Sequence, residues 1–390
     1  MFKKEKIFSI PKNIFILGLV SLLNDASSEM IYPLIPVFLT TVIGANIVTI
    51  GIIEGIAESA ASFLRAFSGY FSDKIRKRKI FIFSGYLFSM IARPALSLAT
   101  SSFHVFLVKF FDRIGKGVRE APRDSLISLS VHNGEVGKFF GFHRAMDTTG
   151  AIIGPILAFL LLPLLANNLR HLFFLSLFFG ILVMVLIIFF VKDKTQESCS
   201  QPFNFSLKLF DWRFKLYLLA LFILSLATFS PAFLFLKARE AGLSIILIPL
   251  IYAAANVVYA LFSTPAGILA DHIGHRNTLM IGLGIFVLTF IGFGSTNNIK
   301  LIWLLFILWG LYSALTDGTI RAITSDLVPE DLRGTAFGLQ SMIMGLALLP
   351  ASVIAGFLWQ NFNSSIAFYT SASLAFIAMI VLWWSVHREV

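Results

Sequence analysis

The chain is 390 residues long, 57% hydrophobic and 13% charged, with a net charge of +10 and a mean hydropathy of +0.85. A soluble domain carries about 25% charged residues, and no core hides this much apolar surface, so lipid is the solvent for most of the chain. Lys and Arg gather in short stretches between apolar runs, which argues against nucleic acid as a partner, and the single cysteine, Cys199, leaves no intramolecular disulfide and no Cys/His spacing for a metal site.

Met1 to Lys12 is basic and leads into an apolar run with no small-residue cleavage site at signal-peptide spacing. That run is read as the first membrane helix. Segments of spanning length, about 20 residues, fall at 13–40, 47–72, 80–100, 103–131, 138–166 and 170–191, then at 216–237, 245–270, 277–296, 300–326, 334–359 and 363–386. The expectation is an all-α membrane protein of about twelve transmembrane helices: a bundle over 1–191, a cytoplasmic linker over 192–215 and a second bundle over 216–390. Within the linker, Phe203 to Phe214 mixes Phe with Lys208, Asp211 and Arg213. It reads as a linker or as a segment lying along the membrane surface, and we favour the linker.

Basic residues set the orientation. Lys3, Lys4, Lys6, Lys12, the run Lys74–Lys79 with Ile75 inside it, Lys192, Lys194 and Arg276 fall on one side. Arg170, Lys237, Arg239 and Lys300 fall on the other. The asymmetry predicts both termini in the cytoplasm of a multi-pass inner-membrane protein, with an even number of spans.

The halves resemble each other at an offset of about 197 residues. Gly69-Tyr-Phe-Ser-Asp73-Lys74 corresponds to Gly267-Ile-Leu-Ala-Asp271-His272, and Phe140-Gly141-Phe142 to Phe337-Gly338-Leu339. Parallel repeats of this kind are a transporter architecture.

The loop after the second segment, with Gly69, Asp73, Lys74, Arg76, Lys77 and Arg78, resembles the signature of the major facilitator superfamily, with Arg76 where the signature has its second Gly. The loop after the eighth, with Gly267, Asp271, His272, Gly274, His275 and Arg276, keeps both glycines and puts His at two basic positions. The resemblance covers essentially the whole chain and implies two pseudo-symmetric six-helix bundles, a small-molecule substrate and function as a monomer. A carboxylate at a helix end accepts hydrogen bonds from a neighbouring helix N-terminus or from Arg, so Gly69, Asp73, Lys74, Arg78, Gly267, Asp271, Gly274 and Arg276 are candidate gating residues. Gly150-Ala-Ile-Ile-Gly154-Pro155 in the fifth segment looks like part of the antiporter motif of proton-coupled exporters, with Ala158 and Phe159 where that motif has glycines. Close helix packing explains the same small residues.

The fourth segment carries Asp112, Arg113, Lys116, Arg119, Glu120, Arg123 and Asp124. Each ionised residue facing lipid at a helix centre costs about 2.5–3.5 kcal/mol. The whole set would cost on the order of 20 kcal/mol, beyond the net stability of most folds. At 3.6 residues per turn they project within an arc of about 140°, so this face is expected to meet a watery cavity or partner helices. Arg113-Ile-Gly-Lys-Gly-Val-Arg-Glu-Ala-Pro-Arg-Asp resembles the fourth-helix motif of a bacterial subgroup of the superfamily. In the superfamily at large an Arg near this position followed four residues later by Gly, as Arg113 and Gly117 are here, is linked to proton transfer, and Lys116, Arg119 and Arg123 exceed that pattern.

Shorter polar stripes place Asp25, Ser28, Glu29 and Tyr32 on the first helix, Glu54, Glu58 and Arg65 on the second, and His143, Arg144 and Asp147 on the fifth. Asp317 and Arg321 recur on the tenth. Asp25, Glu29, Glu54, Glu58 and Arg113 are candidates for proton coupling. Lys116, Arg119, Arg123, Arg144 and Asp147 are candidates for contact with substrate, the arginines suiting a carboxylate or phosphate. Structural pairing of acids with bases is the competing reading. The function expected is secondary transport of a small, anionic solute by alternating access, driven by protons, with export mildly favoured. Alternatives are a passive facilitator or importer of a polycarboxylate or siderophore, and a membrane-embedded enzyme. No nucleotide loop or nucleophile motif supports an enzyme, and no cofactor is expected.

Overall fold

The computed structural model describes residues 6–7, 10–75, 77–131, 136–193, 210–329 and 332–385, without the side chains of residues 6, 7, 66, 69, 70, 73 and 136. A two-stranded ribbon pairs β1 (Lys6–Ile7) with β2 (Ile10–Pro11) antiparallel. Everything else regular is helical. α1 (Lys12–Ile31) passes through a 3-10 turn at Tyr32–Leu34 into α2 (Ile35–Thr41), and the three form one apolar span. Pro33 and Pro36 remove two backbone donors there, which interrupts the α-helical ladder and tightens the turn.

α3 (Ile47–Ile75), α4 (Arg78–Ala95), α5 (Ser102–Leu129), α6 (Val136–Leu164) and α7 (Leu169–Phe190) complete the first half. α8 (Trp212–Ala227) and α9 (Ala232–Glu240) share one span, broken just before Pro231 for the same reason as α1 and α2. α10 (Leu247–Ile273), α11 (His275–Ser295), α12 (Ile299–Asp326), α13 (Arg333–Asn361) and α14 (Ser364–Ser385) follow. Among the described residues, eleven helical spans are long and apolar enough to cross a membrane. α5 has the length, at 28 residues, and is kept out of that set by its charges. The fold is that of an all-α membrane protein with twelve helical segments of spanning length.

The internal repeat is visible helix by helix. The starts of α4 and α11, of α5 and α12, and of α6 and α13 each lie 197 residues apart. α5 and α12 are both 28 residues long, and α6 and α13 both 29.

Contacts divide the chain into two compact units, Met1–Ile35 with Ala60–Pro202, and Pro36–Ser59 with Phe203–Val390. The segment Pro36–Ser59, expected in the first bundle, therefore packs among second-half helices. Gly51 and Gly55 make this approach possible: a Cβ at either would press on the backbone of Ser352 or Leu349 in α13. The expected linker lies mostly outside the described residues. α8 begins at Trp212, where the Asp211 carboxylate accepts the Trp212 N–H at 2.7 Å, a helix cap that ends the linker before 216.

Leu17, Val20, Ile82, Tyr86, Leu126 and Ile187 anchor the core of the first unit. The second unit is aromatic inside: Phe290 stacks on Phe286 with centroids 4.0 Å apart and meets Phe229 and Phe368 edge-on or tilted. Leu164, Phe174, Phe189, Leu261 and Trp384 stay exposed, as lipid-facing residues do.

Candidate functional site

The site is assembled around α5. Ser101 caps its start by accepting the His104 N–H at 3.3 Å. Gly115 and Gly117, two residues and so about 200° apart on the helix, admit neighbours on opposite sides. A Cβ at Gly115 would stand 2.5 Å from the Gly85 carbonyl oxygen on α4, and one at Gly117 2.7 Å from the Ala61 carbonyl oxygen on α3. Ser68 Oγ of α3 donates to the Gly117 carbonyl at 2.8 Å.

Held this closely, the seven charges from Asp112 to Asp124 on α5 are all buried or half-buried and are shared among three neighbouring helices. Asp112 accepts from Arg93 Nε of α4 at 3.0 Å, and Arg93 Nη1 also donates to the Asn24 carbonyl of α1 at 3.0 Å. Arg119, 4% exposed, donates from Nη1 to Ser89 Oγ at 2.7 Å and to the Gly85 carbonyl at 3.3 Å, and lies 4.6 Å over the Tyr86 ring. Glu120 forms a close ion pair with Arg65 of α3, and Lys116 stands 3.8 Å from it. Arg123 bridges Asp124, at 3.1 Å, and Ser21 Oγ of α1, at 3.2 Å. Arg119, a candidate for contact with substrate, is thus buried against α4. Glu120, Lys116 and Arg123 sit in ion pairs or hydrogen bonds within the first unit.

Towards the other end of α5, Lys109 and Arg113 lie 5.3 and 5.6 Å from the Tyr32 ring centroid, within cation–π range. Glu29, Tyr32, Arg93, Lys109, Asp112 and Arg113 line a small pocket there, with about 30 Å³ of room, enough for a water or two.

The α1–α6 contact brings two carboxylates together. A Cβ at Gly150 would stand 2.5 Å from the Leu22 carbonyl oxygen and 3.0 Å from Asp25 Cβ, and one at Gly154 2.5 Å from the Ala26 carbonyl oxygen. The Gly150–Gly154 pair therefore packs α6 directly on α1. One turn before Gly150, Asp147 accepts a short hydrogen bond from Ser21 Oγ, and His143 Nδ1 lies 3.5 Å from its other oxygen. Asp25 accepts from Asn24 Nδ2 at 2.9 Å and is within electrostatic reach of Asp147, Lys116, Arg119 and Arg123. Arg144 points to an exposed position on α6.

In the second unit Glu54 is fully buried and accepts from Ser230 Oγ at 2.9 Å, and Glu58 is half-buried. Lys237, expected in an outer loop, is instead 2% exposed on α9. Its ammonium donates to Asn297 Oδ1 at 2.8 Å, Ser364 Oγ at 3.1 Å and Glu240 Oε1 at 3.3 Å. Asn297 comes from the α11–α12 connection and Ser364 from the start of α14, so burial follows from packing that no local pattern announces.

The candidate gating residues are spread over helix ends. Gly69 and Asp73 lie on α3, the Asp73 side chain and all of Arg76 being outside the described residues. Lys74 is exposed, whereas Arg78 is buried and donates to Ser125 Oγ of α5 at 2.8 Å. Gly267 is exposed on α10. Gly274 breaks α10 from α11 with φ of +87°, in the left-handed region that favours glycine. Asp271 is exposed, 4.0 Å from His275 Nε2, whose Nδ1 meets Asp326 at 2.7 Å. Arg276 stacks 3.5 Å over the Trp383 ring. Buried polar residues that the sequence alone does not mark as site candidates include Ser21, Arg93 and Lys109. A lone cation within an apolar run, as Arg93 is, was the available signal. Among the described residues no cluster of three or more His, Cys, Asp or Glu is arranged to hold a metal ion.

A twelve-segment helical chain with an internal repeat and a charged interior defines a polytopic transporter. The model of the Major Facilitator Superfamily matches residues 17–235 and 216–390, and the chain belongs to that family. It is 38% identical over 380 residues to an uncharacterized MFS-type transporter of Methanocaldococcus jannaschii, with 96% of this chain and 94% of that one covered. It is 23% identical over 401 residues to the multidrug resistance protein MdtG of Proteus mirabilis, with 97% of each chain covered. Among solved structures, the nucleoside transporter NupG superposes with a TM-score of 0.81 at 14% identity, covering 96% of this chain and 100% of that one.

Proposed function

We propose that this chain is a secondary active transporter in which protons moving through Asp25 and Asp147 drive a small anionic solute across the membrane by alternating access. The observation that carries the reading is the α1–α6 contact. Gly150 removes the side chain that would keep the helices apart, so two carboxylates from different helices share one buried neighbourhood with Ser21, Arg123 and His143. Carboxylates and a His gathered within membrane helices are the kind of relay that carries protons in pumps and transporters. In the other unit Glu54, fully buried, accepts from the Ser230 hydroxyl at 2.9 Å and is a further coupling candidate by its place.

The anionic class is supported by the charge balance of α5, where Lys109, Arg113, Arg119 and Arg123 outnumber Asp112, Glu120 and Asp124. Exposed Arg144 and partly exposed Lys116 add to that balance. Export is supported by relatives named as multidrug resistance proteins. The basic ends of α1, α4 and α7 support cytoplasmic termini, and the helix-end residues around Asp73 and Asp271 are the proposed gates.

The deciding experiment uses purified protein in liposomes with an imposed pH gradient and a panel of anionic, cationic and polycarboxylate solutes. Wild type should move an anion with the gradient and exchange it in counterflow. Asp25→Asn and Asp147→Asn should lose the gradient-driven phase and keep counterflow. Unchanged gradient-driven transport in both variants would reject these carboxylates as the coupling groups. Movement that ignores the pH gradient in wild type would mark a passive facilitator.

A further inference from the structure

One face of the first unit gathers the start of α1, the start of α4 and the ends of α5 and α7. Asn13 fixes this arrangement: its Nδ2 reaches Ser130 Oγ at 3.3 Å and the Lys192 carbonyl at 3.1 Å, and its Oδ1 accepts the Lys192 N–H at 3.0 Å. On that face a groove of about 330 Å³ opens between α4 and α7, lined by Lys77, Lys79, Ile80, Phe83, Ile188 and Asp193.

The polar groups of the groove divide into two kinds. Lys79 Nζ donates to the Ile188 carbonyl at 3.0 Å, and Asp193 Oδ2 accepts the Lys79 N–H at 3.2 Å. The two side chains fill backbone groups that helix ends leave unpaired, and the one acidic residue is held against the positive end of α4. Lys77 is exposed at the mouth, and Lys74 is exposed on the last turn of α3. The wall is apolar and open to the outside: Ile80 is 57% exposed and Ile188 47%, continuing into Phe189 at 73%.

We propose that this groove binds an anionic phospholipid, its phosphodiester at Lys77 and Lys79 and its acyl chains along Ile80, Phe83 and Ile188. Charge complementarity selects the occupant. A free anion has no use for the apolar wall, and a zwitterionic lipid brings an ammonium of its own to a basic mouth. Basic pockets between helices on the cytoplasmic side of a membrane take anionic headgroups for this reason.

The test uses the full chain purified in a neutral detergent and titrated with phosphatidylglycerol, with phosphatidylcholine of the same chains, and with inorganic phosphate. Thermal unfolding and retained lipid by native mass spectrometry are the readouts. Phosphatidylglycerol should raise the unfolding temperature saturably and be retained, while the other two leave it unchanged. Lys77→Glu should raise the half-saturating lipid concentration by about fivefold or more without altering the lipid-free unfolding temperature, because Lys77 is exposed. Lys300→Glu, at an exposed lysine of the second unit, should leave the titration as it was. Equal stabilisation by both lipids, stabilisation by phosphate alone, or equal losses in the two variants would each overturn the proposal. If Lys77→Glu does not fold, Lys77→Gln carries the same test.

Discussion

Gly85 of α4 and Gly115 of α5 face each other with no side chain between them: a Cβ on either would stand 2.5 Å from the other's carbonyl oxygen. Arg119, one turn along, uses the same closeness to reach the Gly85 carbonyl and Ser89. The polar interior of the first unit thus depends on backbones touching.

Gly115→Ala should therefore push α4 and α5 apart. Overpacking a tight contact costs about 1–3 kcal/mol, and here the obstacle is backbone, which gives less than a side chain. The unfolding temperature in detergent should fall clearly. Gly137→Ala, where a Cβ would meet nothing within 4 Å, should not lower it, and equal effects of the two would refute a packing role for Gly115.

Arg93→Ala should leave Asp112 as a buried carboxylate without its 3.0 Å partner. Breaking one side of such a pair costs about 3–5 kcal/mol, whereas replacing both partners by apolar residues of similar size is often neutral. Arg93→Met together with Asp112→Leu should recover most of the loss in chemical or thermal unfolding. If the double variant is as unstable as Arg93→Ala, the pair is not the source of the effect.

Lys237→Ala should destabilise the second unit by about 1–3 kcal/mol, because its ammonium donates to Glu240, Asn297 and Ser364 together. Lys300→Ala, at an exposed position, serves as the comparison in the same unfolding measurement. An effect no larger than that of Lys300→Ala would return Lys237 to the role of a simple topology charge.

Much of the fold is legible in the sequence because hydropathy and segment length are local. The count of spanning segments needs only neighbouring residues and the 197-residue offset only a comparison of the chain with itself, and that offset recurs in the helix starts. The charges of α5 are legible as groups that lipid would not tolerate, but their partners are not. A helical projection places Glu54, Glu58 and Arg65 on one stripe, yet Glu54 meets Ser230 and Arg65 pairs with Glu120. Eleven residues of helix span about 16 Å, so a shared stripe does not mean a shared neighbourhood. Asp25 and Asp147 can each be picked out as candidates, but their apposition depends on Gly150 and on the angle at which α6 crosses α1, which only the tertiary structure contains.

The unsuitability of α5 for lipid bears on how the protein is made. Its charges would penalise release of this helix, by itself, from the insertion machinery into the bilayer. Yet Ser21, Arg65, Gly85, Ser89 and Arg93, which receive Asp112, Arg119, Glu120 and Arg123, come from segments translated earlier, while the α6 groups Asp147 and His143 beside Arg123 come later. When residues 112 to 123 leave the ribosome, most of this cradle has already been synthesised. The order of helices along the gene thus suits co-translational assembly, and a permuted chain that began at α5 would have to hold those ions without hosts.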